Sequence, residues 1–350
     1  MPQGQDSPPR EPVPASDGSA RLPHPGRFPE EEGASSTLRT LASRLLTTVL
    51  IVFGAMLLLF LLTVLVPGDP AAALLGPQAS PEYARRFVAE MGLDQPVPVR
   101  LWRFFAHVLT GDLGTDVVSG RKVSAAISAV LPYTVVLTIS SIALAILLGV
   151  PLGCLAATRP GSVLDSVLAG VSVALIAVPS FVIAILLLLV FSVWLDWLPV
   201  LGTGRADDLL DQARRLVLPT VALSVGWIGY IARLVRTSML EVLAEPYIRT
   251  SRAYGLPRRM IILKYALKNA CVPLLAVLGL GVGRLLGGAV LVELVFSRPG
   301  LGRLVLDAIN VRNYPVLQGA VLVVVLLFAG ANLLVDLAYA AIDPRLRQRR

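Results

Sequence analysis

Few residues in this chain have both the type and the spacing to do chemistry. Histidine is confined to His24 and His107, which leaves little room for imidazole catalysis. Cys154 and Cys271 each fall in or beside an apolar run, so neither a disulfide framework nor a zinc site is indicated. No phosphate loop, metalloprotease helix or nucleophile elbow motif is present. The run LGLGVGRLLGG (Leu278–Gly288) lacks the GxGxxG spacing of a dinucleotide site. Its Gly279, Gly283 and Gly287 recur every fourth residue, which lines one helical face and favours close helix packing. Chemistry therefore rests on charge in unusual places. Arg284 stands in the middle of an apolar run, where a cation costs at least about 2.5 kcal/mol. Either it faces a polar interior or aqueous path, or it is held structurally by Asp336 or Asn332. Glu293, on the same helix, has a weaker claim to a path because it can reach the membrane interface.

The other concentration of charge is Glu241–Leu275, the most cationic stretch between two apolar runs. Pro246 after Glu245 opens a short helix, and Gly255 with Pro257 closes it, so the punctuation predicts a helix over Pro246–Tyr254. Arg249 and Arg252 share one face, and Tyr247, Ile248, Ser251 and Tyr254 form a mixed face. A solvated basic loop is the plainer reading of the same residues.

These residues must be positioned by membrane spans. The 350 residues are 55% hydrophobic and 15% charged, with a mean hydropathy of +0.73, a balance that excludes an ordinary soluble domain. In such a chain the net charge of +8 records orientation in the bilayer, not nucleic-acid binding. Apolar runs near 45–66, 133–156, 167–191, 216–235, 271–296 and 315–341 predict six transmembrane helices in an all-α membrane protein. Arg39 and Arg44 precede the first run, and the basic 241–270 loop and the tail DPRLRQRR fall on the same side. That places both termini in the cytoplasm. Residues 1–36 have the composition of a disordered cytoplasmic tail. The 67–130 loop is extracytoplasmic, with one helix from Ser80 to Gly92 and another over Val99–Leu109. The second reads as an interfacial helix or as part of a small soluble cap. Pro179 and Pro219 mark kinks.

The segment YIRTSRAYG (Tyr247–Gly255), with the Tyr265–Lys268 stretch and NACVP, resembles the cytoplasmic signature loop of bacterial ABC-importer permeases. Arg249, Thr250 and Ser251 stand where the family commonly has Glu-Ala-Ala, and Gly255 stands in its glycine position. Leu267 matches the leucine position, while Lys268 replaces the usual proline. The triplet is similar to that of the first-permease branch of the dipeptide, oligopeptide and nickel group. PGDPA (Pro67–Ala71), GLDQPVPVR, GDLG, LPYT (Leu131–Thr134), VPSF (Val178–Phe181), GGAVLVELVFSRPGLG and NLLVDLAYAAIDPR extend the resemblance over residues 37–350. Asn313 departs from an expected Asp, and Arg284 from an expected neutral residue.

The resemblance implies a type I ABC-importer permease in the bacterial inner membrane, with no catalysis and no cofactor of its own. It further implies a second homologous permease, two ATPase subunits that bind ATP and Mg, and an extracytoplasmic binding protein. Tyr247, Arg249, Thr250, Ser251, Arg252 and Gly255 would form the ATPase-coupling helix, and Arg284 and Glu293 are the residues expected along the path. The implied cargo is a short peptide, with a nickel or metal chelate as the alternative. A polytopic membrane enzyme is disfavoured, since no span offers a Ser/His or paired-Asp site.

Overall fold

In the computed structural model the described residues are 32–65 and 94–342, apart from 200 and 206, together with 82, 85, 88, 89 and 92. Apart from the first residues of α1, which belong to the unit Met1–Ala42, the fold set out below lies in the unit Ser43–Arg350. The stretch expected to be a tail up to residue 31, the Ser80–Gly92 helix and the tail after Ile342 lie outside or largely outside the described residues. Helix α1 (Glu32–Leu65) already includes residues 32–36, which the sequence assigns to the tail. Then come α2 (Val97–Thr110), α3 (Val123–Thr158), α4 (Val163–Ala177) and α5 (Ser180–Leu187), the last continuing as a π-helical turn over Leu188–Trp194. Helices α6 (Leu209–Ala244) and α7 (Pro246–Ala253) follow. A short α8 (Arg258–Met260), a π-helical segment (Ile261–Ala266) and α9 (Leu267–Ala270) lead into α10 (Val272–Val295). The chain finishes with α11 (Leu301–Asn310) and α12 (Tyr314–Ile342). No strand occurs among the described residues.

Five helical stretches are long and apolar enough to cross a membrane, and α4 with α5 makes a sixth, bent by 97°. Pro179 therefore breaks the third span outright, a larger effect than the expected kink. Pro lacks the amide that would continue the ladder, so α5 restarts at Ser180. Pro219, by contrast, is carried inside an uninterrupted α6.

Contacts at the ends give the direction of each crossing. At one end, Arg258 Nη2 donates to the Thr158 carbonyl at 2.8 Å, joining the start of α8 to the end of α3. Arg236, near the end of α6, pairs with Asp165 in the first turn of α4. At the other end, the Gly202 N–H donates to the Phe296 carbonyl, and Gln318 Nε2 reaches Thr63 Oγ1 at 3.4 Å. Asn313 Nδ2 donates to Asp116 there. The bent α4–α5 pair thus runs from one end to the other as a single broken crossing. Counted so, the described residues hold six candidate crossings, and α12 starts at the end where α1 finishes.

Helix α6 is the hub. It packs most extensively on α3 and also contacts α4, α5 and α10. Glycine makes these crossings possible: a Cβ at Gly153 of α3 would lie 2.4 Å from the Ala232 carbonyl oxygen, and one at Gly229 2.7 Å from that of Ser172. Outside this hub the apolar surface is open, as at Leu147, Leu155, Val163 and Val193. Helix α1 is mostly exposed, touching α2 through the Phe53–Phe105 stack at 4.7 Å and Phe60 beside Phe104. Those ring contacts hold the predicted interfacial helix against the first span, while Trp102 and Leu109 stay exposed.

Candidate functional site

Three places bring charged or polar groups together. The first is α7. Glu245 leaves α6 in an extended conformation, and Pro246 supplies the first helical turn. At the exit Gly255 takes φ +72°, with open space where a Cβ would sit, so the turn itself calls for glycine. The helix ends at Ala253, one residue before the expected boundary. Its single buried residue, Ile248, is 0% exposed and belongs to the core that includes Met239, Ile261 and Ala266. Tyr247 Oη accepts from Asn269 Nδ2 at 2.8 Å. The hydroxyls of Thr250 and Ser251 donate one turn back, to Pro246 and Tyr247 carbonyls at 3.2 and 2.8 Å. Arg249, Thr250, Arg252 and Tyr254 point outward, exposed. Neither arginine has an ion pair with a described residue. The result is a short cationic ridge with a fixed base and a free crest.

The second place surrounds Arg284. This side chain is exposed and has no hydrogen bond or ion pair with a described residue. It borders two clefts. One, of about 210 Å³, is walled by Val178, Pro179 and Ser180 at the helix break, Tyr230 of α6 and Leu285 of α10. The other, of about 580 Å³, runs between Trp227, Leu286 and Phe328. The Asp336 side chain lies outside the described residues, so that expected pairing has no geometry to report. Asn332 does not reach toward Arg284 as expected; its Oδ1 sits 2.8 Å from where a Gly279 Cβ would be.

The third place corrects an expectation. Glu293 is 1% exposed, sealed inside the described chain and not reaching the membrane interface as expected. Its Oε1 accepts from Thr134 Oγ1 at 2.6 Å, and its Oε2 from the N–H groups of Gly302 and Arg303 at 3.0 and 3.3 Å. The Leu301 N–H donates to Thr134 Oγ1 at 2.8 Å. The carboxylate therefore holds the N-terminus of α11 against α3 and α10, where the exposed amides of a first turn favour negative charge. A Cβ on Gly300 would fall 2.1 Å from this carboxylate. Arg298 lies 5.8 Å over the Tyr133 ring beside it.

Comparison with known proteins accounts for this arrangement. Residues 149–348 match the model of the binding-protein-dependent transport system inner membrane component, and residues 37–138 match the N-terminal model of the same systems. The chain belongs to that family. The probable peptide ABC transporter permease protein y4tP of Sinorhizobium fredii is 42% identical over 87% of this chain and 97% of its own length. The glutathione transport system permease protein GsiC of Salmonella paratyphi A is 41% identical over 87% and 96%, and that of Escherichia coli O6:H1 37% over 89% and 100%. An inward-facing structure of the MetNI methionine ABC transporter matches with a TM-score of 0.51 at 21% identity, over 62% of this chain and 95% of that one. The fold is thus that of an ABC-importer permease. The chain is a multi-pass inner-membrane component, and ATP is hydrolysed on separate subunits of such systems.

In the permease, two of the sequence words that carried the resemblance meet in space, LPYT and GGAVLVELVFSRPGLG. LPYT supplies Thr134, GGAVLVELVFSRPGLG supplies Glu293 and the start of α11, and VPSF is the helix break. Of the three glycines expected to pack, a Cβ on Gly279 would meet Asn332, and one on Gly283 would lie 2.5 Å from the Phe328 ring. Gly287 differs: it is exposed with nothing within 4 Å, because the stripe turns away from α12 there. Gly281 and Gly288 pack on the other side, against Trp227 and Leu223. Sequence reasoning missed Ile248 as the anchor of α7, and missed Asp165, Arg236, Ser180 and Tyr230 altogether. Asp165 and Arg236 flank their apolar runs by a few residues and so carry no intramembrane signal.

Proposed function

We propose that this permease forms half of the translocation path of an importer for short peptides, with Tyr247–Gly255 as the helix that couples it to ATP hydrolysis. The observation that carries the coupling role is the division within α7. Ile248 roots the helix in the core of α6 and the π-helical segment, while Arg249, Thr250 and Arg252 stand free of the chain. A helix fixed at its base moves as a lever with the spans it is rooted in, and its free cationic crest suits a groove on a soluble partner. Closure of ATP-bound partners would then favour one of two arrangements of the spans. The end bearing α7 faces the cytoplasm on this reading, in line with its Arg and Lys content.

The full assembly comprises a second, homologous permease, two ATPase subunits holding ATP and Mg, and an extracytoplasmic binding protein. Peptide cargo is supported by the names of the relatives at 37–42% identity, which are peptide and glutathione permeases. The test is reconstitution of the complex with its binding protein. Arg249→Glu/Arg252→Glu should assemble normally and lose at least tenfold of peptide-stimulated ATP hydrolysis. Full stimulation in that double variant would remove α7 from the coupling interface. Stimulation by a nickel chelate and not by peptides would replace the cargo.

A further inference from the structure

We propose that the break in the third span is an anion subsite that receives the free C-terminal carboxylate of the transported peptide. The inference rests on the peptide reading above and gives its path a chemical contact.

Arg284 is the thirteenth of the 24 residues of α10, about 18 Å from either helix end at 1.5 Å per residue. A guanidinium at that depth cannot face lipid without cost, and the chain supplies no described counter-charge for it. The surface around it is concave and largely apolar, and it gathers other free polar groups. The cleft of about 210 Å³ is bordered by Arg284, by Tyr230 and by Ser180. Neither the Tyr230 nor the Ser180 hydroxyl has a hydrogen-bond partner among the described residues. Helix α5 begins at this cleft. Its first ladder bonds run from Val182 and Ile183 back to Pro179, which leaves the Ser180 and Phe181 N–H groups without an acceptor among the described residues.

A span interrupted at mid-depth turns the positive end of a half-helix toward the interior, and such ends stabilise anionic groups of a passing substrate. Arginine adds a planar, two-pronged match to a carboxylate. The adjoining cleft of about 580 Å³, lined by Trp227, Val277 and Phe328, is of the size that holds a di- or tripeptide body. Contact here is transient, since transport requires release.

The experiment uses the complete complex in proteoliposomes with its binding protein, and a dipeptide as free acid or C-terminal amide. Arg284→Gln should slow uptake of the acid at least tenfold and that of the amide less than threefold. Arg284→Lys should recover part of the acid rate. A diazirine-bearing C-terminal residue in the dipeptide should label residues near 180, 230 or 284, and Arg284→Gln should abolish that labelling. Equal slowing of acid and amide, or labelling elsewhere in the path, would overturn the subsite. So would failure of Arg284→Gln to co-purify with the second permease, which would make Arg284 an interface residue. Wild-type complex that imports no peptide would instead refute the cargo reading itself.

Discussion

Arg236 on α6 and Arg284 on α10 both ride on membrane-crossing helices, yet among the described residues only Arg236 has a counter-charge. Its guanidinium holds the Asp165 carboxylate with two hydrogen bonds, the second at 2.7 Å, and Asp165 also accepts from the Gly161 N–H at 3.0 Å. That pair closes the turn between α3 and α4 onto α6. Arg284 has no such partner among the described residues and borders open volume. Arg236, at a helix end, serves the fold and is neutralised within it. On the proposal above, Arg284 is held for a carboxylate that arrives with the substrate.

The largest effect that could sharpen this contrast lies at the paired site. Asp165→Ala leaves the partly exposed Arg236 guanidinium without its partner and opens the α3–α4 turn, and should clearly lower the melting temperature of the purified complex. Asp165→Ala/Arg236→Met should regain much of it, because no uncompensated charge then remains. A thermal melt of the single variant matching wild type would remove the structural role.

Next comes the staple at the opposite end. Glu293→Ala removes the acceptor for Thr134 and for two backbone N–H groups, and should cost about 2–3 kcal/mol as those donors go unsatisfied. Limited proteolysis should then open the chain near α11 first. Cleavage unchanged there would show that α11 is held by its apolar contacts alone.

These two sites also mark what the sequence could reveal. Six spans and the ends of α7 were legible, since apolar length and the Pro246–Gly255 punctuation are local signals. The break at Pro179 read only as a kink, because hydropathy runs through it unchanged while the helix axis turns by 97°. Glu293 looked like an interface residue, since its partner Thr134 lies 159 residues earlier. Arg284 was legible as an anomaly, but not the Ser180 and Tyr230 that share its cleft, for neither residue type is unusual in a span. Contacts between distant segments come from packing, which no local pattern encodes.

A smaller effect tests the close crossing that supports both arginine-bearing helices. Gly153→Val would drive a side chain into the Ala232 backbone and should cost about 1–3 kcal/mol. The melting temperature of the complex checks it, and an unchanged value would mean that α3 and α6 have slack at this point.

The smallest effect concerns Asn313, the departure from the expected Asp. It donates to Asp116. Burial raises the Asp116 carboxyl, but hydrogen bonds from Ser119, the Val118 N–H and Asn313 outweigh it, so the group titrates below its ordinary 3.8. A carboxyl lowered by folding stabilises at neutral pH and loses that contribution as pH falls below about 3.8. Asn313→Asp would face one carboxylate with another. It should lower stability modestly at pH 7, and the gap to wild type should narrow as acid protonates the pair. A gap that widens in acid would mean the two groups do not meet.

The contrast between the two arginines comes to its most direct test at position 284 itself. Cys154 and Cys271 are replaced, and single cysteines are placed at 284 and at exposed Leu147 on the apolar surface. A charged, membrane-impermeant thiol reagent is then applied to the reconstituted complex during ATP-driven turnover. Cysteine at 284 should react, while cysteine at 147 should stay unmodified. Equal inertness at both positions would contradict a water-accessible position 284.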